Sequence, residues 1–94
     1  MRPQKFDKTK WATRDEQDYP YRDNMLNDLM TNQRLHGLKR DSLINLLGAP
    51  DRLDSSYLFY RIAQERVGSF PIHTKTLVIK LTKDSTVEWR KIHQ

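Results

Sequence analysis

The histidines are the natural place to look for acid–base or metal chemistry. His36, His73 and His93 fall in three separate segments. No two of them have the i, i+4 or paired-cysteine type of spacing that builds a metal site. Asp51 and Asp54 offer two hard oxygens, the ligand type a cation such as calcium takes, but their loop lacks the further ligands that ion needs. Ser55 and Ser56 precede a strand-like run without the glycine-flanked elbow that presents a nucleophilic serine. The three glycines are scattered, so no phosphate cradle forms. Cysteine is absent, which removes disulfides, thiolate nucleophiles and a lipid-bearing cysteine from this chain. The expectation is therefore a protein with no catalytic residue, no metal and no cofactor. One mixture keeps binding chemistry open. Tyr57, Phe59, Arg61, Lys80 and Arg90 combine rings and cations on strand-like segments, as a sheet that stacks bases and pairs phosphates would. Rings in strands also serve as packing residues.

Those residues need elements to hold them. Residues 1–17 read as a polar arm with charges of both signs, in which only Phe6 and Trp11 can anchor to a folded body. Residues 18–94 read as one domain. A first helix is expected to start between Asp18 and Asp23 and to end near Asn32 or Gln33. Tyr21, Met25, Leu26, Leu29 and Met30 give it an apolar stripe. Arg22, Asp23, Asn27, Asp28 and Thr31 are expected on its solvent side. A second helix runs from Arg40 to Leu47, with Leu43, Ile44 and Leu47 on one face. Gly48 can end it in the left-handed conformation, and Pro50 prevents its resumption.

A polar connection, 51–56, leads to a strand over Tyr57–Ile62. Residues 64–73 read as a loop, punctuated by Gly68, Ser69 and Pro71. Thr76–Thr82 is the clearest strand, with Leu77, Ile79 and Leu81 on one face. Lys83-Asp84-Ser85 is a tight-turn candidate. Thr86–Ile92 then completes a hairpin, with Val87 and Trp89 expected on the core side. The fold expected is α+β in two layers: an αα-hairpin packed on a three-stranded antiparallel meander, in the order α-α-β-β-β. The other sheet face would carry Lys80, Glu88 and Arg90, with Arg61 beside them.

Composition sets the outer bounds. Ninety-four residues suffice for one domain. Mean hydropathy is −0.87 and 36% of residues are hydrophobic, which is lean for a chain of this size. No apolar run is long enough to span a bilayer. The opening Met1-Arg2-Pro3-Gln4-Lys5 does not read as a signal peptide. Seventeen basic residues face twelve acidic ones, for a net charge of +5. Residues 57–94 hold seven of the basic and three of the acidic groups, so most of the excess lies in the expected sheet. Such a sheet suits nucleic acid, an anionic lipid surface or an acidic protein. The same charges, being interspersed, also suit an ordinary solvated surface.

The segment Gly37-Leu38-Lys39-Arg40-Asp41-Ser42-Leu43-Ile44-Asn45-Leu46-Leu47-Gly48-Ala49-Pro50 resembles a stretch of the SmpA/OmlA outer-membrane assembly lipoproteins and the related β-lactamase-inhibitor-protein-like domains. That stretch has the pattern G-(M/L)-(T/S)-x-x-x-(V/L)-x-x-L-L-G-x-P. The chain is also similar to small lipoprotein-like proteins of the Bacteroidetes type. The resemblance extends over roughly residues 20–92 in element order, although the motif proper is the second helix and its stop. It implies a protein-binding scaffold of the cell envelope. Lys39 departs from the pattern's Ser or Thr, and the lipid-attachment cysteine is missing. No partner-binding residue carries over from the family.

Two functional expectations follow. The first is a non-catalytic protein-interaction domain of the periplasm or outer membrane if a leader was trimmed, and of the cytoplasm otherwise, whose partner is another protein. The second is a small basic nucleic-acid-binding module. In the first a sheet face or an exposed edge does the binding, and in the second the outer sheet face, with Arg61, Lys80 and Arg90 as the expected surface residues. The sequence sets neither the partner's identity nor an oligomeric state.

Overall fold

A computed structural model describes residues 4–16, 18–33 and 35–94. Met1–Pro3, part of the opening that does not read as a signal peptide, lie outside the described residues. Three helices precede a four-stranded antiparallel sheet: α1 (Lys8–Ala12), α2 (Arg22–Thr31), α3 (Arg40–Leu47), β1 (Arg52–Asp54), β2 (Tyr57–Val67), β3 (Phe70–Leu81) and β4 (Val87–His93). The sheet is a meander in the order β1-β2-β3-β4. Its apolar face carries Leu58, Tyr60, Ile62, Leu77, Ile79, Leu81 and Val87. Met25, Leu26 and Leu29 of α2 and Leu43 and Leu47 of α3 join them in a single core. Each such side chain contributes roughly 1.5–3 kcal/mol of burial free energy.

The helices form where local signals agree. Asp7 caps α1 by accepting from the backbone amides of Thr9 and Lys10. Gly48 ends α3 at φ +81°, donating its N–H to Ile44 O at 2.7 Å. Asp41 places a negative charge in the first turn of α3, where the N-cap residue Lys39 supplies no side-chain hydrogen bond. Asp18, at the early limit expected for the start of α2, lies ahead of that helix, whose N-cap position is Tyr21. The Asp18 carboxylate forms a bidentate pair with Arg66, at 2.9 and 3.0 Å.

The structure departs from the expected pattern at several points, each with a local cause. Residues 8–12 of the polar arm are helical, and Trp11 is completely buried. A five-residue helix with one anchoring ring has no periodicity to detect. The strands number four because Arg52–Asp54, within the expected connection, pairs with Tyr57–Phe59 across Ser55 and Ser56. All three β1 residues are exposed, so no alternation marks them. The expected loop 64–73 is a continuation of β2 and β3, joined by Gly68 and Ser69. Gly68 has φ +61° while Ser69 is not left-handed, the pattern of a two-residue II′ hairpin turn. Lys83-Asp84-Ser85 does turn the chain, closed by Ser85 N–H on Thr82 O at 3.0 Å.

Arg22 is the main correction on the helices. It was expected toward solvent and is 3% exposed. Its Nε donates to Trp11 O at 3.0 Å, and its Nη1 donates to Arg61 O at 2.8 Å and to Asp51 Oδ2 at 3.2 Å. The guanidinium lies 3.3 Å from the Tyr19 ring centroid and 4.6 Å from that of Trp11. Asp51 completes the arrangement by accepting from Tyr19 OH and from the Arg61 N–H. Burial pulls the Arg22 guanidinium below its ordinary value, opposed by Tyr19 and Asp51. It remains a cation, as arginine does in proteins.

Trp11 and Tyr60 are satisfied in the same region. Trp11 Nε1 donates to Leu47 O at 2.9 Å, and Tyr60 OH donates to Gly48 O at 2.9 Å. Burial pushes the Tyr60 phenol up to about 12 from 10.0, and Tyr19 is raised as well, again chiefly by burial.

Two outcomes are expected. Trp11→Ala should cost about 3–5 kcal/mol, read from urea unfolding, because it empties a fully buried site and orphans Leu47 O. Stability should also fall in alkali. The folded Tyr60 value lies above the unfolded one, so the neutral ring's contribution is intact below pH 10 and is lost as pH rises toward 12. Tyr60→Phe should blunt that loss in unfolding curves taken across the range, leaving the smaller share from Tyr19.

Candidate binding face of the sheet

The sheet side away from the core is built by strict alternation on β2 and β3. Tyr57, Phe59 and Arg61 of β2 lie opposite Lys80, Val78 and Thr76 of β3. On β4 the alternation is broken once. Lys80 pairs with Trp89 and Leu81 pairs with Val87, which leaves Glu88 as an extra residue. This bulge sends Val87 into the core and Trp89 to the opposite face. The expectation that both join the core therefore holds for Val87 alone.

The same shift relocates Arg90. It pairs with Ile79, a core residue, and so sits on the helix-covered side. Its Nη2 donates to Met30 O at 2.8 Å near the end of α2, and its buried Nε has no acceptor among the described residues. Of the three expected surface residues, the structure brings Arg61 and Lys80 to the outer face but not Arg90. Arg61 engages Asp51 and Arg22 through its backbone, and its guanidinium lies 5.8 Å from the Tyr19 ring centroid. Lys80 Nζ pairs with Glu88 Oε2 at 2.6 Å, a contact that raises the lysine's pKa.

The centre of the face is apolar. Tyr57 and Phe59 stack at 6.5 Å between centroids, and Trp89 meets Tyr57 edge-on at 6.0 Å. Val78 lies between Phe59 and Lys91 in the register and is only 7% exposed. Two cations border the rings. Arg52 lies 5.0 Å from the Phe59 centroid, and Lys91 lies 5.4 Å from that of Trp89. Arg52 also reaches Asp54, at 3.5 Å with both side chains exposed, a pair worth little to stability. Thr76 and His93 complete a shallow groove across β1–β4. Arg52, Trp89 and Lys91 were not expected in such a site. For Trp89 the missing information was the bulge; for Arg52 it was the existence of β1.

The residues considered for chemistry are dispersed. His36 Nδ1 lies 3.0 Å from Glu88 O, His73 lies on the hairpin and His93 is in the groove. Asp51 is engaged by Arg22 and Tyr19, and Asp54 by Arg52. Among the described residues no group of three or more metal-ligating side chains converges. No helix among them is long and apolar enough to cross a membrane. What this face offers chemically is a flat apolar strip with cations at its margins. Comparison of the chain with family models, with curated proteins and with solved structures finds no match in any of the three.

The two tryptophans should behave differently. Trp89→Ser should cost about 1 kcal/mol, the scale of cross-strand ring contacts, in urea unfolding. Acrylamide should quench the Trp89 emission strongly and leave that of Trp11 nearly untouched.

Proposed function

We propose that this chain is a non-catalytic protein-interaction domain that works as a scaffold and binds its partner through the outer sheet face. The observation that carries the proposal is the groove of three half-buried rings, Tyr57, Phe59 and Trp89, packed over a buried Val78. The helices cover the other face, and among the described residues no element lies over this one. Apolar and aromatic centres with polar margins are the usual anatomy of protein interfaces. The resemblance of the Gly37–Pro50 segment to envelope assembly lipoproteins supports a setting in the bacterial cell envelope, and that setting is part of the proposal.

A nucleic-acid reading draws on one specific observation: Arg52 and Lys91 sit over the rings of Phe59 and Trp89. The same geometry weighs against it. Those ring faces are already occupied by the protein's own cations, so a stacking base has to displace them first.

A photo-crosslinking side chain placed at Phe59, with Asp41 on α3 as the control position, tests the proposal in cells. The expected result is a discrete polypeptide adduct from position 59, absent from position 41 and lost when Trp89→Asp is added. If the purified domain instead binds single-stranded RNA or DNA at micromolar concentration, with affinity falling steeply between low and high salt and abolished by Trp89→Asp, the protein-interaction reading is overturned.

A further inference from the structure

One edge of the sheet is half covered, and the cover shows what that edge accepts. β4 is the last strand, with β3 on one side. Over its first residues the other side is filled. Gly37 N–H donates to Val87 O at 2.9 Å, Val87 N–H donates to Leu38 O at 2.8 Å, and Lys39 and Thr86 form an antiparallel bridge. His36 Nδ1 stands against Glu88 O. The cover ends there, since Leu35, next along the chain, is buried in the core. From Trp89 to His93 no backbone group is bonded on the open side among the described residues. Such an edge is a template for one more strand.

The side chains along this free stretch alternate between two surroundings. Trp89 and Lys91 lie on the outer face, and Arg90 and Ile92 lie on the helix-covered side. Leu26, Met30 and Ile92 line a groove between α2 and the end of β4. Neither Arg90 nor Lys91 has a carboxylate partner among the described residues. The acids of α2 and β4 are engaged elsewhere: Glu88 with Lys80, Asp23 with Lys75, and Asp28 with Phe6 N–H and the Asn32 amide. Arg90 reaches only a carbonyl, Met30 O, and its buried Nε lacks an acceptor. Lys91 is exposed and lies over the Trp89 ring.

These positions select the occupant. Directly opposed side chains of neighbouring strands are roughly 4.5–5.5 Å apart at Cβ, so each of these two cations suits an acid across from it. Trp89 and Ile92, on either side of them, suit apolar residues. The complementary pattern is apolar-acid-acid-apolar, which reads the same in both directions along a strand. A second copy of this chain fits poorly, because self-pairing about Arg90 or Lys91 sets like charges opposite each other.

We infer that the free edge of β4, from Trp89 to His93, takes an extended acidic polypeptide segment as a fifth strand, with adjacent carboxylates opposite Arg90 and Lys91. Main-chain hydrogen bonds supply the affinity of such an added strand, and its alternating side chains supply the specificity. The site is the backbone edge of β4 and stands apart from the function proposed for the rings of the outer face.

A fluorescein-labelled peptide with a central Val-Glu-Glu-Val, extended by Thr-Ser repeats, tests the inference by anisotropy with the whole chain. It should bind, and the same peptide with Val-Lys-Lys-Val at its centre should not. Lys91→Glu should weaken binding about tenfold, because an attraction becomes a repulsion. Lys83→Glu, the same charge change at the turn before β4, should leave binding unaltered. Both positions are exposed, so circular dichroism of each variant should match the wild type. N-methylation of alternate peptide residues separates strand addition from charge: one alternate set should abolish binding and the other should leave it intact. Amide NMR shifts on adding the peptide should concentrate on residues 89–93. The inference is overturned if the acidic peptide does not bind, if Lys83→Glu weakens binding as much as Lys91→Glu, or if both methylated peptides bind like the parent. Shifts centred on Tyr57 and Phe59 overturn it too, while leaving the reading of the outer face standing. So does a dimer of the free chain that the peptide dissociates, since a second copy would then hold the edge.

Discussion

The buried guanidinium of Arg22 ties together four pieces of chain that the backbone alone leaves apart. It holds Trp11 O at the end of α1, the ring of Tyr19, the carboxylate of Asp51 and the carbonyl of Arg61. A cation taken out of water is costly unless its hydrogen bonds are met and an opposite charge is near. Here Nε and Nη1 have acceptors, Asp51 supplies the charge, and two aromatic rings lie alongside. The arrangement therefore works as a set: removing Asp51 strands a buried cation, and removing Arg22 strands two carbonyls. Such losses typically reach about 3–5 kcal/mol, a large part of a small domain's stability.

This network explains why so lean a sequence can have a closed core. The ring of Trp11 seals the end of the core near α3, packing at 5.8 Å against Phe6 and at 6.4 Å against Tyr60. Without the segment that carries it, α2 and α3 would cover the sheet incompletely. The two faces of the sheet then acquire different roles. One is spent entirely on cohesion. The other keeps three half-buried rings over Val78, with cations at their border.

Much of this architecture was legible in the residues. Leu77, Ile79 and Leu81 alternate cleanly and are buried, and Gly48 and Pro50 mark the end of α3. The helices before the sheet and the antiparallel meander follow from the same patterns. What escaped was information that is not periodic. Arg22 on a stripe diagram is merely a charge between apolar positions, and only its distant acceptors explain its burial. β1 has three exposed residues and exists because β2 offers it an edge. In the hairpin, Gly68-Ser69 reads equally as loop punctuation or as a two-residue turn, and strand pairing decides. At the candidate site Arg61 and Lys80 were placed on the correct face by counting alone. Arg90 and Trp89 were not, because counting fails across an inserted residue.

That inserted residue, Glu88, has a consequence for how the surface can vary. Strand β4 presents one set of side chains outward and another inward, and the spacer between Leu81 and Trp89 determines which is which. Shortening or lengthening that stretch by a single amino acid exchanges the roles of Trp89 and Arg90 without altering either one. The chemical character of the exposed sheet is thus governed by a length as much as by composition. Two chains with the same residues in this strand, but connections differing by one, would present different surfaces to whatever they meet.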